Sequence, residues 1–331
     1  MLMAVHNGER HLRSAIGSVL GQTLDDFELV VIDDGSTDDT PKILAEYGRD
    51  NTRIVIRRIS HAGRSAALNL GCRQARAEFI AILDADDLAL PHRLERQLRF
   101  LRRNENVAVL GGGMLLIDEQ GEIVGEDRVR TSDAEIRNAL ERSCPFYHSN
   151  VMFRKRAVQA VGGYRTVFEQ AEDYDLWLRV AEAGYALANL DEYIGTYRSH
   201  PHQESVRRVE RQAWFVLAAR TSARERREGQ RDRFDSLERI NADVLAEIGV
   251  DEQELTETTV MLAAWYAEKL SHAGQARAAS SLWDMATSRA ESPSAPPRLK
   301  DKVSKISRRA GMHHCRGPAS KDARRHDRGD S

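Results

Sequence analysis

The chain has 331 residues, of which 41% are hydrophobic and 30% are charged, with a formal net charge of −2. This length suits one large domain with an appendage, or two domains, and the balanced charge excludes a general attraction to nucleic acid. Three cysteines without CxxC spacing, no apolar run long enough for a membrane span and no export signal favour a cytoplasmic protein with reduced thiols.

Strands and helices alternate over the first part of the chain. Short apolar runs predict the strands, and apolar residues at helical spacing predict the helices between them. The strands are predicted at 2–5, 29–32, 54–56 and 79–83, and the helices at 9–20, from 36 onward and at 63–75. This order is typical of an α/β protein with a Rossmann-like, mostly parallel sheet flanked by helices.

Polar residues follow three of these strands directly. They are His6 and Asn7, Asp33 and Asp34, and Asp84, Asp86 and Asp87. Because the carboxyl ends of parallel strands share one edge of the sheet, we expect all of them at one crevice. Three carboxylates at one strand end repel one another unless a cation lies between them. Oxygen ligands alone favour magnesium or manganese over zinc.

The second half of the chain mixes strands and helices less regularly. The pattern predicts helices at 91–103, 132–141 and 171–183, strands at 107–117 and 151–153, and a hairpin turn at 119–122. Ser132 is a plausible cap for the second of these helices. The run Gly111–Gly113 inside a strand predicts a kink or a close approach of backbone.

The last third of the chain has a different composition. Residues 204–290 are rich in Arg, Ala and Glu and predict a helical extension. Residues 291–331 predict a disordered tail, with eleven Lys or Arg against four Asp from residue 298 onward. We therefore expect one domain at 1–203, with halves of about 1–110 and 111–203, followed by the extension and the tail.

Six short segments stand in a fixed order along the first 200 residues. They are Ala4–Gly8, Val31–Asp38, Gly63–Asn69, Leu83–Asp87, Ala171–Trp177 and Tyr197–His200. In this order and spacing they resemble the family 2 glycosyltransferases, which have a nucleotide-sugar-binding domain of the GT-A type. The resemblance implies metal-dependent, inverting transfer of a sugar from a nucleoside diphosphate sugar, UDP-sugar first, to a glycan, lipid-linked or protein acceptor. The implied cofactor is Mn²⁺ or Mg²⁺.

The resemblance also implies roles for single residues near the nucleotide. Val5, His6 and Asp34 would line the nucleobase pocket, with Asp34 accepting a hydrogen bond from a base N–H. His6 stands where a tyrosine is common in the family, so stacking on the base would differ. Arg64 would lie near the base or the diphosphate.

The remaining implied roles belong to the reaction centre. Asp84 would contact the ribose and Asp86 would bind the metal, as the two acids of a DxD motif. Asp173 would be the general base on the acceptor hydroxyl. Arg198 and His200 would belong to a loop that closes over the diphosphate, with His200 as a second candidate metal ligand.

The chemistry of such a transfer requires these residue types independently of the resemblance. The diphosphate gains negative charge as the bond to the sugar breaks, and a metal held by carboxylates neutralises it without a proton. One base then suffices, because the acceptor hydroxyl must lose its proton. The lack of a QxxRW motif argues against a processive polysaccharide synthase.

Several alternatives stay open from the sequence. Glu172 and Asp173 could simply favour a helix N-terminus, and Asp175 could be the base in place of Asp173. Asp87 is expected to orient the turn rather than to touch the donor. A non-catalytic nucleotide-sugar-binding or glycan-binding module is the main rival function, and a metal-dependent phosphatase or nucleotidyltransferase is another. We expect no nucleic-acid partner, and at most a peripheral contact of the basic tail with the inner face of the membrane.

Overall fold

A computed structural model describes residues 1–309 of the chain, and its first sheet is entirely parallel. Strands β1 to β3 lie in sequence order, in register along their length. The elements are β1 (Leu2–Val5), α1 (Leu12–Leu20), β2 (Leu29–Asp34), α2 (Thr40–Asp50), β3 (Ile54–Ile59) and α3 (Arg64–Gln74). The predicted alternation of strands and helices is therefore confirmed for this half.

Strand β2 shows why its sequence is continuously apolar. Alternate residues of a strand point to opposite faces of the sheet. Leu29 and Val31 are buried in one hydrophobic core, and Val30 and Ile32 are buried in the other. Since both faces of the strand are covered, a polar residue at any position before the two aspartates would reduce the buried apolar surface and its stabilisation.

A second, mixed sheet carries the rest of the first 200 residues. Its strands are β4 (Phe79–Ala81), β5 (Leu88–Ala89), β6 (Val107–Ile117), β7 (Ile123–Asp127), β8 (Met152–Arg154) and β9 (Ala186–Arg198). The order is β4-β8-β6-β9-β5, with β7 beside β6. Strands β6 and β9 are parallel, whereas the other pairs are antiparallel.

The predicted strand at 79–83 differs from expectation in its pairing. Its regular part ends at Ala81 and pairs with β8 in the antiparallel sense. A single parallel bridge between Leu2 and Ile82, with a hydrogen bond from Leu83 N to Leu2 O (3.1 Å), joins it to the first sheet. The two sheets are thus continuous at this point, and the carboxylate turn begins directly after it.

The helices of the second half lie close to the predicted positions. They are α4 (Arg93–Arg103), α5 (Asp133–Leu140), α6 (Lys155–Ala160) and α7 (Glu172–Glu182). Ser132 caps α5 in a capping box with Glu135, as its position predicted. Gly111 is a site of close approach, since a Cβ there would lie 2.2 Å from Asn189 Oδ1.

The extension is helical, as predicted, and has a hydrophobic core of its own. Its helices are α8 (Glu204–Arg207), α9 (Val209–Arg227), α10 (Ala242–Glu247), α11 (Glu252–His272), α12 (Ala276–Ala290) and α13 (Leu299–Arg309). The prediction of a disordered tail from residue 291 is wrong for α13, because Leu299 and Val303 are buried in that core. The rest of the predicted tail, 310–331, lies outside the described residues.

Helix α11 attaches the extension to the first domain. The Trp265 ring lies 6.2 Å from the Tyr147 ring and 6.1 Å from the Tyr197 ring, measured between centroids. Buried Lys269 lies over Trp265 at 4.4 Å and forms an ion pair of 2.9 Å with Asp127. No helix in the described part of the chain is long and apolar enough to cross a membrane.

Candidate active site

The three carboxylates that follow β4 form a compact cluster. Oxygen atoms of Asp84, Asp86 and Asp87 lie within 4.8 Å of one another in the turn between β4 and β5. Such a set of oxygen donors suits Mg²⁺ or Mn²⁺. Burial acts to raise the pKa of Asp86, but the hydrogen bond from His200 lowers that pKa overall and so favours the charged form.

Asp87 has a different role from its two neighbours. It is buried, and its Oδ1 accepts a hydrogen bond from the Arg198 backbone N–H at 2.8 Å. Its Oδ2 accepts a hydrogen bond from the Ser149 hydroxyl. Burial, with the charges of Asp86 and Asp84, raises the pKa of Asp87 well above its usual range. Asp87 thus fastens the turn, which leaves Asp84 and Asp86 as the more exposed ligand candidates.

A buried arginine on α4 holds the turn from behind. The Arg93 guanidinium donates to the carbonyls of Ile82 (2.6 Å), Ser149 (2.8 Å) and Val151 (3.2 Å). It therefore ties the end of the β4 segment to the segment before β8. Burial lowers the pKa of Arg93 to about 9, although Asp87 and Asp84 oppose this.

Arg198 and His200 lie beside the carboxylate turn, at and just beyond the end of β9. His200 Nε2 is 3.3 Å from Asp86 Oδ2, close enough for both side chains to share one cation. The Arg198 guanidinium donates to the backbone carbonyls of Asp86 (2.8 Å), Asp118 (2.9 Å) and Glu119 (3.0 Å). Arg198 thus fixes the hairpin turn between β6 and β7 against the carboxylate turn.

A second group of polar residues lies at the ends of β1, β2 and β3. His6 Nδ1 is 2.7 Å from Asp34 O, and His61 Nδ1 is 2.9 Å from Asp34 Oδ2. The Asp34 carboxylate also accepts the backbone N–H groups of Ala62 (2.7 Å) and Gly63 (3.0 Å). The sequence predicted His6 and Asp34 here, with Val5 buried just before them. It missed His61, whose position two residues after a parallel strand was the available signal.

Arg64 connects the carboxylate turn to the start of α7. Its Nη2 lies 2.5 Å from Asp84 Oδ1, and its Nε donates to Glu172 Oε1 at 2.8 Å. Its Nη2 is also 2.8 Å from His148 Nδ1. Burial lowers the pKa of His148 well below its usual range, so the neutral ring accepts from Arg64 and donates from Nε2 to Tyr164. The sequence missed both Glu172 and His148 as parts of this site.

Asp173, the predicted base, stands next to Glu172 at the N-terminus of α7. It is partly exposed, its Oδ1 accepts its neighbour's N–H at 2.7 Å, and its Oδ2 lies 3.7 Å from Cys144 Sγ. Burial raises the pKa of Asp173, and it raises the pKa of Glu172 to about 8 against the opposing charge of Arg64. A carboxylate with a raised pKa is a better proton acceptor near neutral pH.

Asp175, the alternative base, does not reach the site. It is fully buried, and its carboxylate oxygens accept hydrogen bonds from Arg165 and from Arg179. Both Asp175 oxygens are thus occupied by guanidinium donors. Asp175 has a structural role, and of the two residues only Asp173 has an oxygen free of a guanidinium donor.

Comparison with known proteins identifies the family to which the chain belongs. The family model for glycosyl transferase family 2 matches residues 1–162. The chain is 37% identical over 198 residues to EpsE of Bacillus subtilis (strain 168), covering 59% of this chain and 70% of that protein. It is 34% identical over 203 residues to the O-antigen biosynthesis glycosyltransferase WbnJ of Escherichia coli, covering 60% of this chain and 79% of that protein.

Solved structures share the fold at low sequence identity. The mannosyltransferase PcManGT from Pyrobaculum calidifontis, in complex with GDP-Man and Mn²⁺, has a TM-score of 0.54 at 18% identity. This likeness covers 94% of this chain and 84% of that one. Residues 1–349 of S. aureus TarS, in complex with UDP-GlcNAc, have a TM-score of 0.52 at 16% identity and coverages of 95% and 92%. The predicted GT-A type of fold is thereby confirmed.

Proposed function

Because the chain belongs to glycosyl transferase family 2 and is a glycosyltransferase, we propose that it is a metal-dependent, inverting enzyme. Its donor would be a nucleoside diphosphate sugar, with a UDP-sugar as the leading candidate. Its acceptor would be a glycan, a lipid-linked sugar or a protein. The observation that carries the proposal is the Arg64 bridge. Its guanidinium joins Asp84 of the carboxylate cluster to Glu172, the residue directly before the predicted base, Asp173.

The known proteins support the donor class and the metal. Two proteins of the same fold were solved with nucleotide sugars, one of them together with Mn²⁺. Asp84, Asp86 and, in a supporting role, His200 offer the donor atoms that such a cation needs. WbnJ is an O-antigen biosynthesis glycosyltransferase, which favours a glycan as the acceptor of this chain.

Different residues serve the leaving group, the acceptor and the positioning of the two substrates. Asp86, with His200 as the second candidate ligand, would hold the divalent cation, which would neutralise the diphosphate leaving group, and Asp84 would contact the ribose. Asp173 removes the proton from the acceptor hydroxyl as the oxygen attacks the anomeric carbon from the face opposite the leaving group. Arg64 holds the Asp84 side chain and the start of α7 in fixed relation, so donor and acceptor meet in an attacking geometry.

The nucleotide half is assigned to the first sheet. His6, Val5 and Asp34 would line the base pocket, and Arg64 and Arg198 would lie toward the diphosphate. Because Asp34 and Arg198 already hold backbone groups of neighbouring loops, donor binding would be sensitive to how those loops are placed.

The test uses two substitutions that separate binding from transfer. Asp173→Asn should lower sugar transfer by about 10²-fold or more while Mn²⁺-dependent donor binding is kept. Asp86→Asn should weaken both. Asp191→Asn, on an exposed side chain, is the control. The measurements are calorimetric titration with UDP and GDP sugars in the presence of Mn²⁺, and release of the nucleoside diphosphate.

Three outcomes would overturn the proposal. Unchanged turnover in either variant removes that residue's role. Binding without turnover of any donor or acceptor points to a non-catalytic module. Release of phosphate or pyrophosphate in place of nucleoside diphosphate points to a phosphatase or a nucleotidyltransferase.

A further inference from the structure

Three neighbouring strand ends bring two histidines and one aspartate together. His6 follows β1, Asp34 ends β2 and His61 lies two residues beyond β3. Because these strands are parallel neighbours, residues just past their carboxyl ends meet at one edge. One ligand atom from each of the three side chains lies within 4.8 Å of the others.

The two imidazoles converge on Asp34, and both lie near its carbonyl oxygen. His6 Nδ1 is 2.7 Å from the Asp34 carbonyl oxygen, and His61 Nδ1 is 3.1 Å from it and 2.9 Å from Asp34 Oδ2. The ring centroids of the two histidines are 4.3 Å apart. Gly35 allows this approach: its φ is +71°, and a Cβ there would lie 2.8 Å from the backbone nitrogen of His61.

We propose that His6, Asp34 and His61 form a binding site for a transition-metal ion of the zinc class. Two imidazole nitrogens with one carboxylate oxygen are a common zinc donor set, with a fourth position left for water. Of the proposed ligand atoms, His61 Nδ1 and Asp34 Oδ2 are 2.9 Å apart, and all three lie within 4.8 Å of one another. Two ligands on tetrahedral zinc are about 3.3 Å apart, so small side-chain movements suffice.

Binding requires a change of tautomer and no net chemistry. In the metal-free site each Nδ1–H donates to an Asp34 oxygen. On binding, each ring proton moves to Nε2 through solvent, and the Nδ1 lone pair takes the metal. The exposure of both rings allows this. Asn7 Nδ2, which lies 3.2 Å from His6 Nε2, exchanges that contact for water.

This site differs in donor type from the carboxylate cluster. The carboxylate cluster offers the oxygens of Asp84 and Asp86 with one imidazole, His200, beside them, which suits Mg²⁺ or Mn²⁺. The histidine site offers two imidazoles with one carboxylate, which suits zinc. Mg²⁺ or Mn²⁺ would therefore prefer the carboxylate cluster, and zinc would prefer the histidine site. Resting on the proposed function, a zinc ion at His6, Asp34 and His61 would occupy the base pocket and exclude the nucleotide.

The test titrates the full-length protein with Zn²⁺ alone. Wild type, His61→Gln and His92→Gln are compared by calorimetry, and Co²⁺ reports tetrahedral coordination through its visible absorption. His92 is a matched control, since its side chain is 63% exposed against 62% for His61. Asp86→Asn separates this site from the carboxylate cluster, and His6→Gln repeats the test from the other histidine.

We expect wild type, His92→Gln and Asp86→Asn to bind Zn²⁺ alike. His61→Gln and His6→Gln should bind about 10–100-fold more weakly and lose the tetrahedral Co²⁺ spectrum. Unchanged zinc affinity in both histidine variants would overturn the site. Zinc should also weaken UDP binding in wild type but not in His61→Gln. Absence of UDP binding in every protein would count against the proposed function and leave the zinc result standing.

Discussion

Asp173 and Asp175 stand two residues apart on α7, yet their substitution should have opposite effects. Asp175 is buried between Arg165 and Arg179, and Arg165 also forms ion pairs with Asp232 (2.8 Å) and Asp235 (2.9 Å). Asp175→Asn removes one charge from this network and leaves two largely buried guanidinium groups with fewer partners. We therefore expect Asp175→Asn to damage stability and Asp173→Asn to damage catalysis.

The size of the stability effect follows from the burial of the partners. Breaking a buried ion pair on one side costs about 3–5 kcal/mol. Arg165 keeps Asp232, and the amide oxygen of asparagine can still accept a hydrogen bond, so the lower limit of about 3 kcal/mol applies. At about 2–4 °C per kcal/mol for a domain of this size, the thermal midpoint should fall by about 6–12 °C.

The assay combines thermal unfolding, followed by circular dichroism, with turnover measured well below both midpoints. Asp175→Asn should melt early but keep most of its turnover at low temperature. Asp173→Asn should melt close to wild type and lose turnover. If Asp175→Asn melts like wild type while its turnover collapses, Asp175 is the base and the assignment of Asp173 is wrong.

Two further predictions concern the surroundings of the site. Asp173 must be ionised to accept a proton, so activity falls as pH drops through its raised pKa. Arg64→Gln removes the positive charge that opposes this rise, so it should move that acid limb of the pH–rate profile to higher pH. An unmoved limb would contradict the coupling. Gly35→Ala should cost about 1–3 kcal/mol in denaturant unfolding and weaken UDP binding, because its methyl group would meet His61. Gly17→Ala, in a helix with open space around it, should be neutral or slightly stabilising.

The first sheet and its helices could be predicted because local pattern and burial agree there. Strand β2 is buried on both faces, so its sequence is apolar without interruption until it reaches the crevice. The second sheet was harder, because its pairings depend on contacts far apart in the chain. Nothing local in Phe79–Ala81 indicates that β8, some 70 residues later, is its antiparallel partner.

The candidate site shows the same division. Asp34, Asp84, Asp86 and Asp173 could be predicted because carboxylates after strands or at a helix start stand out in sequence. The environment of the side chains could not. That Arg198 holds backbone carbonyls depends on the hairpin turn between β6 and β7 being folded against β9, which no spacing in the sequence reveals.

Helix α9 belongs to two hydrophobic cores, and this has an evolutionary consequence. Its first residue, Val209, packs in the core of the extension, whereas Phe215, Ala219 and Ala223 pack in the core beneath the sheets. The match to the family ends at residue 162, well before this helix. From Phe215 onward α9 is thus tied to the core of the first domain, and α10 is tied to it through Leu245, whereas α11 to α13 pack in the core of the extension and could be exchanged as a block. Because Trp265 of that block lies against Tyr147 and Tyr197, such an exchange would rebuild one wall near the carboxylate turn without repacking the domain that performs the reaction.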